Sequence, residues 1–146
     1  RRAGLSPPRR VRLEARRPQT TLPEVSIRDL LKATLRLRPD RIILGEVRGG
    51  EAFDLLQALN TGHSGSLSTI HASSAAEAMS RFATCVLMAG IDLPYRVIRQ
   101  NIGESLNMVI QLKREPGKRA VAEVLRIKRY VPAEDYYEFE TLYRSK

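Results

Sequence analysis

Hydrophobic positions recur along this chain in two rhythms, and the switches between them mark its elements. Val11, Leu13 and Ala15 alternate with Arg12, Glu14 and Arg16, the period of a half-buried strand. Pro18 to Pro23 reads as a loop. From Ser26 the spacing lengthens. Ile27, Leu30, Leu31, Thr34 and Leu35 share one helical face, and Ser26 with Asp29 forms an approximate capping box. That helix must stop before Pro39, because the residue preceding a proline is pushed out of the helical region. The short apolar run from Arg41 to Gly45 lies between Pro39-Asp40 and two glycines, which predicts a parallel strand buried on both faces. Gly49-Gly50 leads into a second helix with Phe53, Leu56 and Leu59 on one face, broken by Thr61 to Gly65. Leu67 to Ile70 predicts another short strand.

Ser74 with Glu77 is a full capping box for a third helix burying Ala78, Met79, Phe82, Val86 and Leu87, which Gly90 ends. Pro94 suits the first position of a fourth helix carrying Ile98, Ile102 and Leu106. After residue 107 the rhythm is that of strands. Met108–Leu112, Ala120–Tyr130 and Tyr136–Tyr143 are joined by short turns and so run antiparallel. Alternating strands and helices followed by a meander predict a three-layer α/β domain.

Composition narrows the picture. With 146 residues, 42% hydrophobic and 28% charged, the chain supports one globular domain. No apolar run approaches the roughly 20 residues of a membrane span, and no apolar stretch follows the basic start as in a signal peptide. Cys85 stands alone among apolar neighbours and reads as a small buried thiol. Lys and Arg number 25 against 16 acids, a formal charge of +9. Much of the excess lies in residues 1–17, which hold Arg1, Arg2, Arg9, Arg10, Arg12, Arg16 and Arg17 against Glu14 alone. Such a cluster suits nucleic acid, anionic lipid, nucleotide phosphates at a subunit boundary, or plain solvent. With no aromatic among those residues, single-strand stacking is not favoured.

Two positions carry candidate chemistry. Glu46 stands just past the apolar run, where open α/β sheets bind ligands. In nucleotide hydrolases a carboxylate there holds Mg²⁺, often through water, or polarises the attacking water; it could equally cap the next helix. His71 follows its own strand directly. If the two strands are neighbours, both side chains emerge on one edge, where an imidazole can donate to a terminal phosphate. Alone, His71 reads as an ordinary structural residue. His63 is the only other histidine, and no HExxH spacing occurs, so a metal site built on histidine is not expected.

Taken together, residues 38–74 resemble the type II/IV secretion and conjugation traffic ATPases. Ile42 to Glu46 matches that family's Walker B box, Thr69 to His71 its His box, Glu46 to Arg48 its Gly-Glu-x-Arg element, and Thr61 to Gly65 its glycine loop. Residues 85–114 look like the C-terminal helices of the CpaF/TrbB-like branch. The resemblance implies the C-terminal part of an ATPase domain over residues 11–146, after an irregular basic lead-in at 1–10. It implies a RecA-like three-layer fold working as a homo-hexamer with ATP and Mg²⁺ at subunit boundaries. Such a motor sits in the cytoplasm, peripheral to the inner face of the bacterial membrane, on secretion or pilus platform proteins, and nucleic acid is not expected as a direct ligand. By carry-over, Glu46 assists water activation or holds Mg²⁺ through water, and His71 contacts the γ-phosphate. Arg48, Arg12, Arg16, Arg36, Arg38, Gly62, His63, Gly65 and Thr69 would lie near phosphate or the subunit boundary.

The chain departs from the family in one respect. A phosphate-binding loop needs Gly-x₄-Gly-Lys-Ser/Thr. The sole Gly-Lys is Gly117-Lys118, with Arg119 after it and Leu112 at the first glycine position. The Walker A strand and loop and the family's acidic box are thus missing from these residues, which begin with Arg1 and read as a fragment not active by itself. Two other readings stand beside this one: a non-enzymatic basic module binding nucleic acid or anionic lipid, and a degenerate relative that assembles with complete ATPase subunits.

Overall fold

Local capping fixes the first helix. In the computed structural model, which describes residues 9–145, the Ser26 hydroxyl accepts from the Asp29 amide at 3.2 Å. The Asp29 carboxylate takes the Ser26 amide at 3.0 Å and its hydroxyl at 2.6 Å. Helix α1 (Ile27–Arg36) starts there and buries Leu31. Strand β1 (Ile43–Val47) runs parallel to β2 (Leu67–Ile70), with Ile43 opposite Leu67 and Leu44 opposite Ser68. The crossover between them is α2 (Glu51–Asn60), buried through Ala52, Leu55, Leu56 and Ala58. Ser66 fixes where the strands begin: its hydroxyl accepts from the Ile42 amide at 3.0 Å and donates to the His63 carbonyl at 2.7 Å.

Helix α3 (Ala75–Leu87) follows, capped by Ser74, whose hydroxyl accepts from the Glu77 amide at 3.2 Å. It buries Ala78, Met79, Phe82, Cys85 and Val86 as the spacing predicts, whereas Leu87 stays 42% exposed. Pro94 is the N-cap of α4 (Tyr95–Ser105) rather than its first residue. The meander is β3 (Met108–Glu115), β4 (Lys118–Val131) and β5 (Tyr136–Arg144), antiparallel throughout.

One core joins these parts. Val47, Leu55, Leu56, Met79, Phe82 and Val86 meet Ile98, Ile102, Ile127, Tyr130 and Tyr137. Within it lies a charge: Arg99, on α4, is only 7% exposed. Its guanidinium carbon lies 4.4 Å from the Tyr137 ring centre and 5.4 Å from that of Tyr130. The same group donates to the Asp135 carbonyl at 3.1 Å, and the Tyr130 hydroxyl bonds the Asp135 carboxylate at 2.6 Å. The Tyr137 hydroxyl in turn donates to the Arg99 carbonyl at 2.9 Å.

Three expectations change. Residues 11–15 form no strand; Val11 is 69% exposed, and of the alternating segment Arg16 alone pairs, in an isolated bridge to Val25. Alternation gave residues 11–15 a strand's pattern, but among the described residues nothing pairs with them. Strand β1 is buried on one face only, with Ile42 inward and Ile43 77% exposed beside Leu67. For the same reason, the layering around the β1–β2 pair is incomplete among the described residues: helices cover one side, and no described element covers the other, where Ile43 and Leu67 are exposed. The lead-in at 1–10 lies outside the described residues except for Arg9 and Arg10, which are irregular and exposed.

Candidate active site

Parallel pairing sends the C-terminal ends of β1 and β2 to one edge, and that edge gathers the chemistry. Glu46 is the penultimate residue of β1, Arg48 follows the strand, and His71 comes directly after β2. The Arg48 guanidinium donates from Nε to Glu46 Oε2 at 2.7 Å. His71 Nε2 lies 3.0 Å from Glu46 Oε1. The ring sits beside the carboxylate without donating along it, because Oε1 is buried and has no hydrogen-bond partner. The carboxylate is mostly enclosed, while Arg48 and His71 face solvent. The hydrogen bond from Arg48, with its charge, holds the Glu46 carboxyl below the usual carboxylate range against the opposing effect of burial. Glu46 is therefore an ionised acceptor with one unsatisfied oxygen, and it does not cap the next helix.

The other expected residues fall in three places. The Thr69 hydroxyl donates to the Gly45 carbonyl at 2.6 Å, stitching the strands together one residue before the acid. The glycine loop precedes β2 and so lies at the opposite edge from His71, separated from it by the length of the strand, about 13 Å at roughly 3.3 Å per residue. There Gly62 and Gly65 take φ of +103° and +78°, and His63 Nδ1 turns back to the Ala58 carbonyl at 3.1 Å. Gly62, His63 and Gly65 thus join α2 to β2 and do not meet the Glu46 cluster within this chain. Arg36 ends α1 and Arg38 follows it, both exposed, and Arg12 pairs with Glu14 at 2.8 Å in solvent. Arg16 donates to the Pro23 carbonyl at 3.2 Å and keeps a buried, unpartnered Nε. With Arg17, Glu24, Ser26 and Glu51 it lines a shallow depression of about 350 Å³.

Glu51 was not singled out by sequence reasoning. Its Oε1 accepts the amides of Arg48 at 2.6 Å and Gly49 at 2.9 Å. The signal was present, an acid three residues after Arg48 at a helix start, but acids are common in first turns.

The geometry has counterparts. Residues 10–135 match the family described as type II/IV secretion system protein. The chain belongs to this family. Among the family's curated proteins, the conjugal transfer protein TrbB of Rhizobium radiobacter is 43% identical over 106 residues, covering 73% of this chain and 32% of that protein. The type IV secretion system protein PtlH of Bordetella pertussis is 43% identical over 105 residues, covering 70% of this chain and 31% of its own length. The crystal structure of the VirB11 ATPase from the Brucella suis type IV secretion system, in complex with sulphate, superposes with a TM-score of 0.66. It is 34% identical and covers 70% of this chain and 32% of that one. The chain spans about a third of the length of these relatives. No helix among the described residues is long and apolar enough to cross a membrane.

Proposed function

We propose that this chain supplies the Walker B and His-box part of an ATP-hydrolysing motor that powers conjugation, secretion or pilus assembly. The observation that carries the reading is the side-by-side placement of Glu46 and His71 at the end of two parallel strands. Glu46, ionised and held from one side by Arg48, accepts a proton or orients the attacking water. His71, exposed at the end of β2, donates to the terminal phosphate. Arg48 keeps the carboxylate charged before substrate arrives. The donor set fits Mg²⁺, because Glu46 Oε1 is a buried carboxylate oxygen that no hydrogen bond holds, able to take a metal-bound water once the His71 ring beside it turns to the phosphate. When bound, the ion would neutralise charge on the β- and γ-phosphates.

The same reading places the chain in a RecA-like three-layer domain and a homo-hexamer. Arg16, and with it Arg12, Arg36 and Arg38, serves there at the boundary with the neighbouring subunit's phosphates. The glycine loop Gly62 to Gly65 and Thr69 keep the strands in register. The hexamer works in the cytoplasm on inner-membrane platform proteins. These 146 residues contain no Gly-x₄-Gly-Lys-Ser/Thr, so the chain by itself lacks the backbone cradle and lysine that hold the phosphates.

The test joins the upstream two thirds of a matching relative such as TrbB to this chain from Val11 onward. The isolated chain is expected to stay at background ATP turnover. The chimera is expected to hydrolyse ATP, and Glu46→Gln and His71→Ala each to lower its kcat by at least about a hundredfold. Turnover by the isolated chain that survives Glu46→Gln, or a chimera indifferent to both substitutions, refutes the reading.

A further inference from the structure

The segment that carries Arg48 is pinned from two sides, and neither pin is part of the chemistry. On one side, the Glu51 carboxylate reaches back from the first residue of α2 and takes the amides of Arg48 at 2.6 Å and Gly49 at 2.9 Å through a single oxygen. A Cβ at Gly49 would only touch that carboxylate, 3.4 Å from Glu51 Oε2, so the pin on this side is the pair of hydrogen bonds. On the other side, Gly50 lies against the backbone of Met88 and Ala89; a Cβ there would stand 2.9 Å from the Ala89 Cα. Residues 48–50 therefore have little freedom. Arg48 leaves this turn with its guanidinium directed onto Glu46 Oε2.

Glu51 bonds no side chain of the Glu46 cluster, yet it lies among cations, one of which belongs to that cluster. Its charge bears on Arg48 and on Arg28, and it shares the depression lined by Arg16 and Arg17. The reach from Glu51 back to the Arg48 amide, three residues earlier, is that of a capping box; its second bond, to the Gly49 amide, closes the turn that carries Arg48.

The geometry assigns Glu51 as the positioning residue that holds Arg48 on the Glu46 carboxylate, through the Arg48 and Gly49 amides. Glu51 thereby sets how Glu46 is presented at the nucleotide site. The assignment to a nucleotide site rests on the proposed function; the Glu51–Arg48 coupling can be measured without nucleotide.

The experiment uses the 146-residue chain, ¹⁵N-labelled, with Glu51→Ala and Glu51→Gln. It follows the Arg48 Nε–H resonance and the amide exchange of residues 48–56. In Glu51→Ala the Arg48 and Gly49 amides should exchange about tenfold faster, the scale of one charge-assisted hydrogen bond. The Arg48 Nε–H signal should move towards that of a solvent-exposed arginine, while Leu55 and Leu56 keep their protection. Glu51→Gln keeps an acceptor oxygen at the same reach and should restore the Arg48 signal. An Arg48 signal unchanged in Glu51→Ala overturns the assignment. So does a loss of protection spread equally through α2, which makes Glu51 a helix cap only, or a failure of glutamine to rescue. None of these outcomes depends on whether the chain serves an ATPase, which the chimera decides separately.

Discussion

At the residue scale, hydrogen bonds to a charged carboxylate do the positioning twice, at Glu46 and at Asp29. The Ser26 hydroxyl, then its amide, holds the Asp29 carboxyl below its usual range. A carboxyl lowered on folding stabilises the fold above its unfolded value near about pH 4. That contribution disappears as pH falls through the lower folded value. Ser26→Ala should therefore cost about 1 kcal/mol at neutral pH, the typical loss of an N-cap. It should also flatten the dependence of helix content on pH below about 4, read by circular dichroism with urea. The sequence disclosed this box and the Glu46–His71 pair because each rests on near neighbours or on a strand followed by one polar residue. Arg99 is harder to see. Tyr95, Ile98, Arg99 and Ile102 fall at helical spacing, so a cation on an otherwise apolar stripe was the clue. An arginine on a helix is usually read as solvent-facing.

At the scale of elements, close backbone approach decides more than hydrophobic pattern. The start of α2 fits against the end of α3 only because residue 50 lacks a side chain. Gly50→Ala should lower stability by about 1–3 kcal/mol, the usual range for overpacking, seen as a lower urea midpoint at unchanged slope. The helices were legible because each carries its own period, and the first three their own stops: Pro39, Gly62, Gly90. The strands were legible as segments but not as partners. Alternation at residues 11–15 could not say whether a neighbour exists, and the apolar run at 42–44 looked doubly buried although Ile43 is bare. Burial of a strand depends on elements distant in sequence, which no local pattern records.

At the scale of the whole molecule, the helical part and the meander are joined at Arg99. Burial pushes the Tyr137 hydroxyl well above its ordinary range, against the lowering pull of Arg99. A tyrosine raised on folding favours the native state below its unfolded value of about 10 and loses that contribution as pH rises further. Alkaline unfolding should therefore steepen above about pH 10. Tyr137→Phe should flatten it, while costing about 1 kcal/mol at pH 8 for the lost bond to the Arg99 carbonyl; tyrosinate absorbance and circular dichroism check both.

Tyr130 and Tyr137 face each other across β4 and β5, and both rings enclose the guanidinium of a helix. A hairpin that closed one residue out of step would turn the shifted tyrosine to the far side of the sheet. Arg99 would then enter the interior stripped of a ring and of the Asp135 carbonyl, left with only Tyr95 and Ser80 of the helices around it. The enclosed cation thus proofreads the alignment of strands it never pairs with, so that a misaligned meander cannot dock on α4.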